Sequence, residues 1–501
     1  MIKAPIALGL TLALAATAAS AQELRIGMRD DPGSLDPATN ASFVGRVSLQ
    51  SVCDKLFDID PQGTLVPMLV ESWEWADDKL SVTLNLRQGV TFQDGTTFDA
   101  DAVKWNIERF KTMEGSRRAA ELESIDAVEV VDDHTVVLRL AEPNVALLTQ
   151  MTDRAGMMVS PAAYEDSTQE AFESAPVCAG PYSVAEYRPQ EVVILEKFED
   201  HWNADAFHFG TVRFVALPDS NVRLLNLRSG DLDLVENVPP ADLPALEADG
   251  DIEIAFAEQP AYEMIMFNLE GSGADPDFAE HPEVRKAFSL ALDREAINQV
   301  VFDGRYSAGN QMFPPTNPWY NEEYPVPARD VEAARALLAE AGVENPELDL
   351  LISTSPERLA VAEMMQAMVG EVGITLNVLP TEFISMRQQA ADGNFEAYVI
   401  GSSGRVDPDL NISLTLRCGT ANNVGGYCNE ELDALLDEAK SLSDDAARKP
   451  IYDQIISMVM EEQPVVYIHN ARSAYAHDAD IEGFRTYPDA IIRLDDVRPA
   501  D

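Results

Sequence analysis

The sequence predicts an α/β protein of two lobes, one of which carries an inserted, mainly β subdomain. Three observations predict it. Short β-like runs alternate with helical ones along almost all of the 501 residues. Two hairpin-like units stand close together between residues 80 and 140. At roughly 150 residues per domain, the length suggests about three structural units, ample for a proper core.

Taken in order, residues 24–28 (LRIGM) read as a first strand, 31–37 (DPGSLDP) as a turn-rich loop, and 44–57 place apolar residues at helical spacing. Residues 80–98 alternate apolar and polar side chains around the turn dipeptide Asp94-Gly95, and 128–140 repeat the design around Asp132-Asp133. A helix over 102–110 separates them, so residues from about 63 to 175 can form the insertion. Residues 180–198 return to β structure. Residues 221–246 read as a helix stopped at Gly230, a short strand, and a Pro-Pro turn into another helix. Residues 262–269 (YEMIMFNL) have few polar interruptions, which suits a buried parallel strand. Residues 282–302, 330–342 and 358–373 are amphipathic helices, the last two ending at Gly. Met364, Met365 and Met368 at helical spacing read as packing and not as a cofactor site.

The N-terminus adds a compartment. A short positive start (Met1-Ile2-Lys3), an apolar run over 6–19 and an A-x-A site at Ala19-Ser20-Ala21 read as a secretory signal peptide over residues 1–21. The run falls short of the ~20 residues that cross a bilayer, and no cysteine follows it, so neither an anchor nor a lipoprotein is expected. The chain holds 36 Lys+Arg against 86 Asp+Glu, a formal net charge of −50. That makes nucleic acid and anionic membrane surfaces poor partners. The acids are scattered through amphipathic segments, which fits a folded protein with a strongly hydrated surface. Four cysteines in an exported chain form an even set, read as two disulfides, Cys53 with Cys178 and Cys418 with Cys428. There is no CxxC or HExxH, and the six histidines are widely spread, so no metal or other cofactor is expected.

The signatures of catalysis are missing. "GSSG" (401–404) lacks the spacing of G-x-S-x-G, no lysine has a serine three positions before it, and no phosphate-binding loop occurs. Asp407 and Asp409 could imitate a glycosidase pair, but acids this abundant make chance pairs common.

Several blocks, read together, resemble one family. "GSLDPATN" (33–40), "KLFDIDPQGTLVPMLVESWEWADD" (55–78), "LNLRQGVTFQDGTTFDADAVKWNIERF" (84–110), "GPYSV" (180–184), "HPEVRKAFSLALDREAI" (281–297) and "GYCNEELDALLDEA" (426–439) are similar, in the same order, to signatures of the extracytoplasmic solute-binding proteins of the peptide, opine and nickel group that serve ABC importers. Ala102, where the family often has Asp, and Cys178, where Gly before "GPY" is common, depart from it. The first is expected to cost a helix-capping contact; the second supports a bridge to Cys53. The resemblance implies a two-lobed periplasmic-binding-protein fold whose lobes hinge shut over a solute. It divides the chain into a first lobe (22–62 and 180–264), its insertion (63–179), a second lobe (265–468) and a return to the first (469–501). It also implies a periplasmic monomer, not an enzyme, that captures a peptide or peptide-like solute and delivers it to a membrane permease. The alternative class is a secreted hydrolase acting on peptides or peptide-like compounds.

The same resemblance focuses attention on "GSSGRVDPD" (401–409). Peptide binders of the family usually carry here Trp, two residues, Asp, two residues, then Asp-Pro, the first Asp holding the peptide amine. Counting back from Asp407-Pro408, those places fall on Gly404 and Gly401, and both motif residues are absent. Beside Gly404 stands Arg405, whose forked donors suit a carboxylate or phosphate. The pocket is therefore expected to accept an anion, with Arg405 flanked by Gly401, Ser402, Ser403 and Asp407; the competing reading is a local salt bridge from Arg405 to Asp407 or Asp409. Asn40, Tyr262, Asn268 and Trp319 are further ligand candidates. Other Lys and Arg residues are too scattered along the chain to indicate a second anion contact.

Overall fold

The computed structural model describes residues 22–500 except Ala41, Ser403 and Ala421, and except the side chains of Gln259 and Ile384. The signal peptide and Ser403 therefore lie outside the described residues. One sheet of 11 strands runs through both lobes. Its first-lobe part holds strands Glu23–Met28, Thr211–Ala216, Val192–Lys197 and Tyr182–Arg188 with the short Leu234–Val235, and its second-lobe part holds Thr375–Thr381, Glu347–Ser353 and Ala397–Ser402. Two long antiparallel strands, Ile252–Phe267 and Val465–Asp478, join the halves. Their pairing slips in register between Glu258 and Tyr262, where the chain passes from one lobe to the other. Such an irregularity leaves the ladder locally unpaired and easier to bend.

The local rules of the sequence hold at most element ends. Ser42 caps the helix Phe43–Val52 by accepting the Gly45 N–H at 2.8 Å. Gly230 (φ +75°) and Gly342 (φ +70°) end the helices Ser220–Ser229 and Val331–Ala341 in the left-handed conformation that glycine adopts without strain. The helix Ala100–Thr112 keeps its cap in spite of Ala102, because the bond runs from the Ala102 N–H to the Asp99 carboxylate at 2.9 Å. Both disulfides are formed, Cys53–Cys178 and Cys418–Cys428. Beside the first, a side chain at Gly180 would lie 2.4 Å from the Val52 carbonyl oxygen, which explains glycine there.

Four expectations are corrected. Residues 80–98 form no hairpin: Ser81–Leu86 pairs with Val70–Trp75 on one side and Thr135–Leu140 on the other, and only an isolated Thr91–Thr97 bridge spans the Asp94-Gly95 turn. The distant strands let Val82 and Leu84 bury completely, which a local hairpin could not. The segment 262–269 belongs to a strand that is antiparallel to both neighbours; continuous apolarity reports burial on both faces, whatever the direction of the neighbours. Residues 282–302 break into helices Pro282–Ala291 and Arg294–Val301, the second started by the Asp293 cap on the Ala296 N–H. The first helix stops at Val52, because the chain then turns into the strand Phe57–Ile59.

Separate apolar cores sit under the first-lobe sheet, in the insertion around its four-stranded sheet and helix Ala100–Thr112, and on the two faces of the second-lobe sheet. Among the described residues no helix is long and apolar enough to cross a membrane.

Candidate functional site

A cleft of about 590 Å³ opens between the lobes. Trp73, Trp75 and Leu148 line it from the insertion and Trp319, Asp407 and Arg448 from the second lobe. The two sides touch. The Val145 N–H donates to the Lys440 carbonyl at 3.0 Å, and Arg405 Nε lies 3.9 Å from Asp153 Oδ2.

The loop carrying Arg405 is held rigidly. Gly404 has φ +68°, and a Cβ there would stand 2.3 Å from the Pro260 carbonyl oxygen, so neither its conformation nor its space admits an aspartate. Asn411 clamps the next residue, accepting the Arg405 N–H and donating to the Arg405 carbonyl, each at 2.6 Å. The Arg405 side chain reaches toward the first lobe, with Nη1 donating to the Gly404 carbonyl at 2.8 Å.

There it meets a group of arginines. Asp153 is flanked by Arg46, whose Nε donates at 3.1 Å, and by Arg154, whose Nε lies 3.4 Å away. Arg154 Nη1 donates to Asn40 Oδ1 at 2.8 Å and to the Asn40 carbonyl at 3.2 Å, and Arg118 Nη2 reaches that carbonyl at 3.4 Å. Arg118 Nη1 pairs with Glu121 at 2.5 Å. Arg46, Arg118 and Arg154 are all buried. Burial alone would push Asp153 up, but Arg46, Arg154 and Arg405 hold it well below the usual carboxylate range. Burial lowers Arg154 to about 10 in spite of Asp153, and burial with Arg46 lowers Arg405.

A model of the "Bacterial extracellular solute-binding proteins, family 5 Middle" matches residues 64–423. The chain belongs to this family. The glutathione-binding protein GsiB of Escherichia coli O1:K1 / APEC is 27% identical over 98% of both chains. Among solved structures, the binding protein AgaA from A. tumefaciens R10, in complex with agropinic acid, is 27% identical with a TM-score of 0.81, covering 96% of this chain and 99% of its own. The dipeptide-binding protein of Pseudoalteromonas sp. SM9913, in complex with Met-Leu, is 25% identical with a TM-score of 0.81, covering 95% and 100%. Family 5 proteins are solute-binding proteins and not enzymes, and their two-lobed fold is the one described above.

Within this family 5 fold the expected site residues separate into groups. Arg405 meets Asp153 where the lobes touch, neither of them lining the cleft, while the acids offered as its local partners are engaged elsewhere: Asp407 with Arg448, and Asp409 with Lys440 at 3.7 Å. Asp407 lines the cleft; both its oxygens accept from Arg448 and one also accepts the Asp409 N–H. Gly401 and Ser402 pair with Glu263 and Tyr262 in the sheet, and Ser402 Oγ accepts the Gly404 N–H. Trp319 lines the cleft and packs edge-on against Tyr452. Tyr262 is buried against Tyr467, its hydroxyl pushed up to about 12 by burial. Asn40 is buried; its amide donates to the Pro32 and Ser34 carbonyls and its oxygen accepts from Arg154, so it stands behind the site and orients an arginine. Asn268 is not among the residues that line the cleft; it donates to the Gly393 and Phe395 carbonyls and accepts the Gly271 N–H. The reading of the arginines as scattered is corrected. Arg46, Arg118 and Arg154 lie far apart in sequence, and only folding gathers them opposite Arg405.

Proposed function

We propose that this protein is the solute-binding component of an ABC importer and that it captures a peptide-like solute by an anionic group. The signal sequence would be removed after Ala21, and the chain would work in the periplasm as a monomer without a lipid anchor, presenting its closed, loaded form to a membrane permease. The observation that carries the reading is Arg405 meeting Asp153, with Arg46 and Arg154 around it, where the two lobes touch, beside the place where an amine-holding acid would need a side chain that Gly404 cannot have. Relatives that bind glutathione or a dipeptide and a neighbour holding agropinic acid support a peptide-like or carboxylate-bearing solute. Closure follows from contacts that a ligand makes with both lobes only when they are together.

Calorimetry with glutathione and Met-Leu, each as free acid and as the carboxamide, tests the reading. Binding of a free acid that is lost on amidation is the expected result. Equal binding of acid and amide would overturn it.

A further inference from the structure

We infer that the first lobe holds a second small-molecule site, separate from the interlobe cleft, and that it takes a primary ammonium group on a short apolar body. A cavity of about 280 Å³ lies in the first lobe, against its insertion, where the end of the helix Phe43–Val52, residues 201–207 and the C-terminal return meet. Only Pro61 is common to this cavity and the cleft. The volume is just under the ~300–1,000 Å³ of sites for drug-sized ligands, so the occupant is small. The cavity is built around Asp54, whose side chain is 1% exposed. Its backbone is fixed by the Cys53–Cys178 bridge next to it and by the Met158 N–H on its carbonyl at 3.0 Å. Asp54 Oδ2 is engaged by two neutral donors, His201 Nε2 at 2.9 Å and Trp202 Nε1 at 2.6 Å. His201 is neutral because its Nδ1 accepts the Asn203 N–H at 3.3 Å, which leaves the ring proton on Nε2. Asp54 Oδ1 accepts no hydrogen bond from any described residue and is not sealed from solvent, so it opens on the cavity. Ser51 Oγ and Tyr487 Oη, on residues that are likewise more than nine-tenths buried and line the same space, are in the same position.

The charge of the walls decides the class of ligand. Lys55 and Arg493 balance Asp58 and Asp489 through ion pairs of 2.6–2.9 Å, and Arg485 pairs with Asp495 at 2.7 Å. Arg87, stacked on the Trp202 ring at 4.0 Å, pairs with Glu71. Asp60 accepts the Gln62 and Thr64 N–H groups of its own turn and brings no cation. Among the described residues the one ion-pair contact of Asp54 is neutral His201, so its charge stands uncompensated. A buried carboxylate met only by neutral donors favours a cation, and the net charge of −50 draws cations to the chain. Trp202, Phe207 and Tyr487 supply an aromatic wall, which suits both the charge and the alkyl body of an organic ammonium. A primary ammonium carries three donors. The cavity offers three open acceptors, Asp54 Oδ1, Ser51 Oγ and Tyr487 Oη.

The test is calorimetry of the full mature chain with propylammonium, 1-propanol, tetramethylammonium and potassium, in an amine-free buffer at matched ionic strength, in the parent and in Asp54→Asn and Tyr487→Phe. Propylammonium should bind about tenfold or more tightly than propanol, which lacks the charge, and than tetramethylammonium, which lacks the donors. Asp54→Asn should weaken it by about tenfold or more. Tyr487→Phe keeps the ring that Arg493 covers at 4.1 Å and should weaken it by about threefold. Small-angle scattering should show no change of radius at saturation, because every wall of the cavity belongs to the first lobe and its insertion. No binding of propylammonium by the parent, propanol or potassium bound as tightly, undiminished binding by folded Asp54→Asn, or contraction on binding would overturn the inference. If Asp54→Asn does not fold, Tyr487→Phe and the ligand series in the parent decide.

Discussion

Both carboxylate oxygens of Asp407 are held by the Arg448 guanidinium, at 2.8 and 2.9 Å, in the second-lobe wall of the cleft. The Tyr452 hydroxyl accepts from the same guanidinium at 3.1 Å, and Trp319 lies beside it. A bidentate buried pair of this kind is lost as a unit when one member is removed. Asp407→Ala should therefore destabilise the fold by about 3–5 kcal/mol, since Arg448 would be left buried with only the exposed Asp445 carboxylate, at 3.3 Å, as a charged partner. Replacing both, as Asp407→Leu with Arg448→Met, should recover much of the loss. Urea unfolding of the three proteins checks this; a single variant as stable as the parent would show that the pair is not structural.

Asp409, two residues on, gives a pH dependence. Burial pushes its carboxyl up to about 6, with Lys440 opposing and Asp407 adding to the rise. Between the ordinary value near 3.8 and about 6 the folded chain binds the extra proton, so the contribution to stability is fully present below that window and lost as pH rises through it. Asp409→Asn, always neutral, escapes the loss. Relative to the parent it should gain about 1–3 kcal/mol between pH 4 and pH 7. Unfolding curves at the two pH values, with a difference that stays constant, would contradict the assignment.

The contrast between Asp407 and Asn40 shows what the sequence could and could not reveal. Turn dipeptides, caps and apolar periodicity are local, so Asp99, Asp293, Gly230 and Gly342 mark their element ends legibly. The position of Arg405 was legible as well, because the displaced motif is contiguous. Its surroundings were not. Arg46 comes from a helix, Arg118 from the loop after another and Arg154 from a short turn of 3₁₀ helix, and their meeting depends on how the insertion packs on the first lobe. Strand partners fail for the same reason: Ser81–Leu86 has the pattern of a hairpin strand but pairs with residues some 50 positions away, because register is set by the face that buries best.

The disulfides should act through the unfolded chain. Cys418–Cys428 closes a separation of 10 residues and Cys53–Cys178 one of 125. Loop entropy then gives about 2.7 and about 5 kcal/mol for breaking them, so Cys53→Ser with Cys178→Ser should be the more destabilising double variant. Thermal unfolding of the two double variants against the parent ranks them. The reverse order would point to native contacts around the short loop as the larger effect.

Hinge motion should centre on the register slip between Glu258 and Tyr262, opposite residues 470–472. Among the described residues the direct bonds between the lobes include Val145 to Lys440, Arg405 to Asp153 and the two-bond pair of Arg305 with Glu247, and a ligand spanning both sides should add to them. Small-angle scattering should show a smaller radius of gyration with a saturating ligand than without one. An unchanged radius at proven saturation would mean that the lobes are rigidly joined.

Arg405 carries the last prediction. Its backbone is fixed by Asn411 and by the close approach of Gly404 to Pro260, so truncating the side chain should leave the loop in place. What disappears is the only member of the arginine group described above that comes from the second lobe. Arg405→Ala should lose about 2–5 kcal/mol of binding to an anionic solute, because a ligand charge in a partly desolvated cleft is left without its partner. Arg405→Lys should recover only part, since a point charge cannot reproduce the paired donors. Amidating the ligand's acid should hurt the parent far more than the alanine variant, and calorimetry on the four combinations gives the coupling energy directly. If the variant binds as tightly as the parent, with the same sensitivity to amidation, the first-lobe arginines hold the anion alone and Arg405 serves only to dock the second lobe on Asp153.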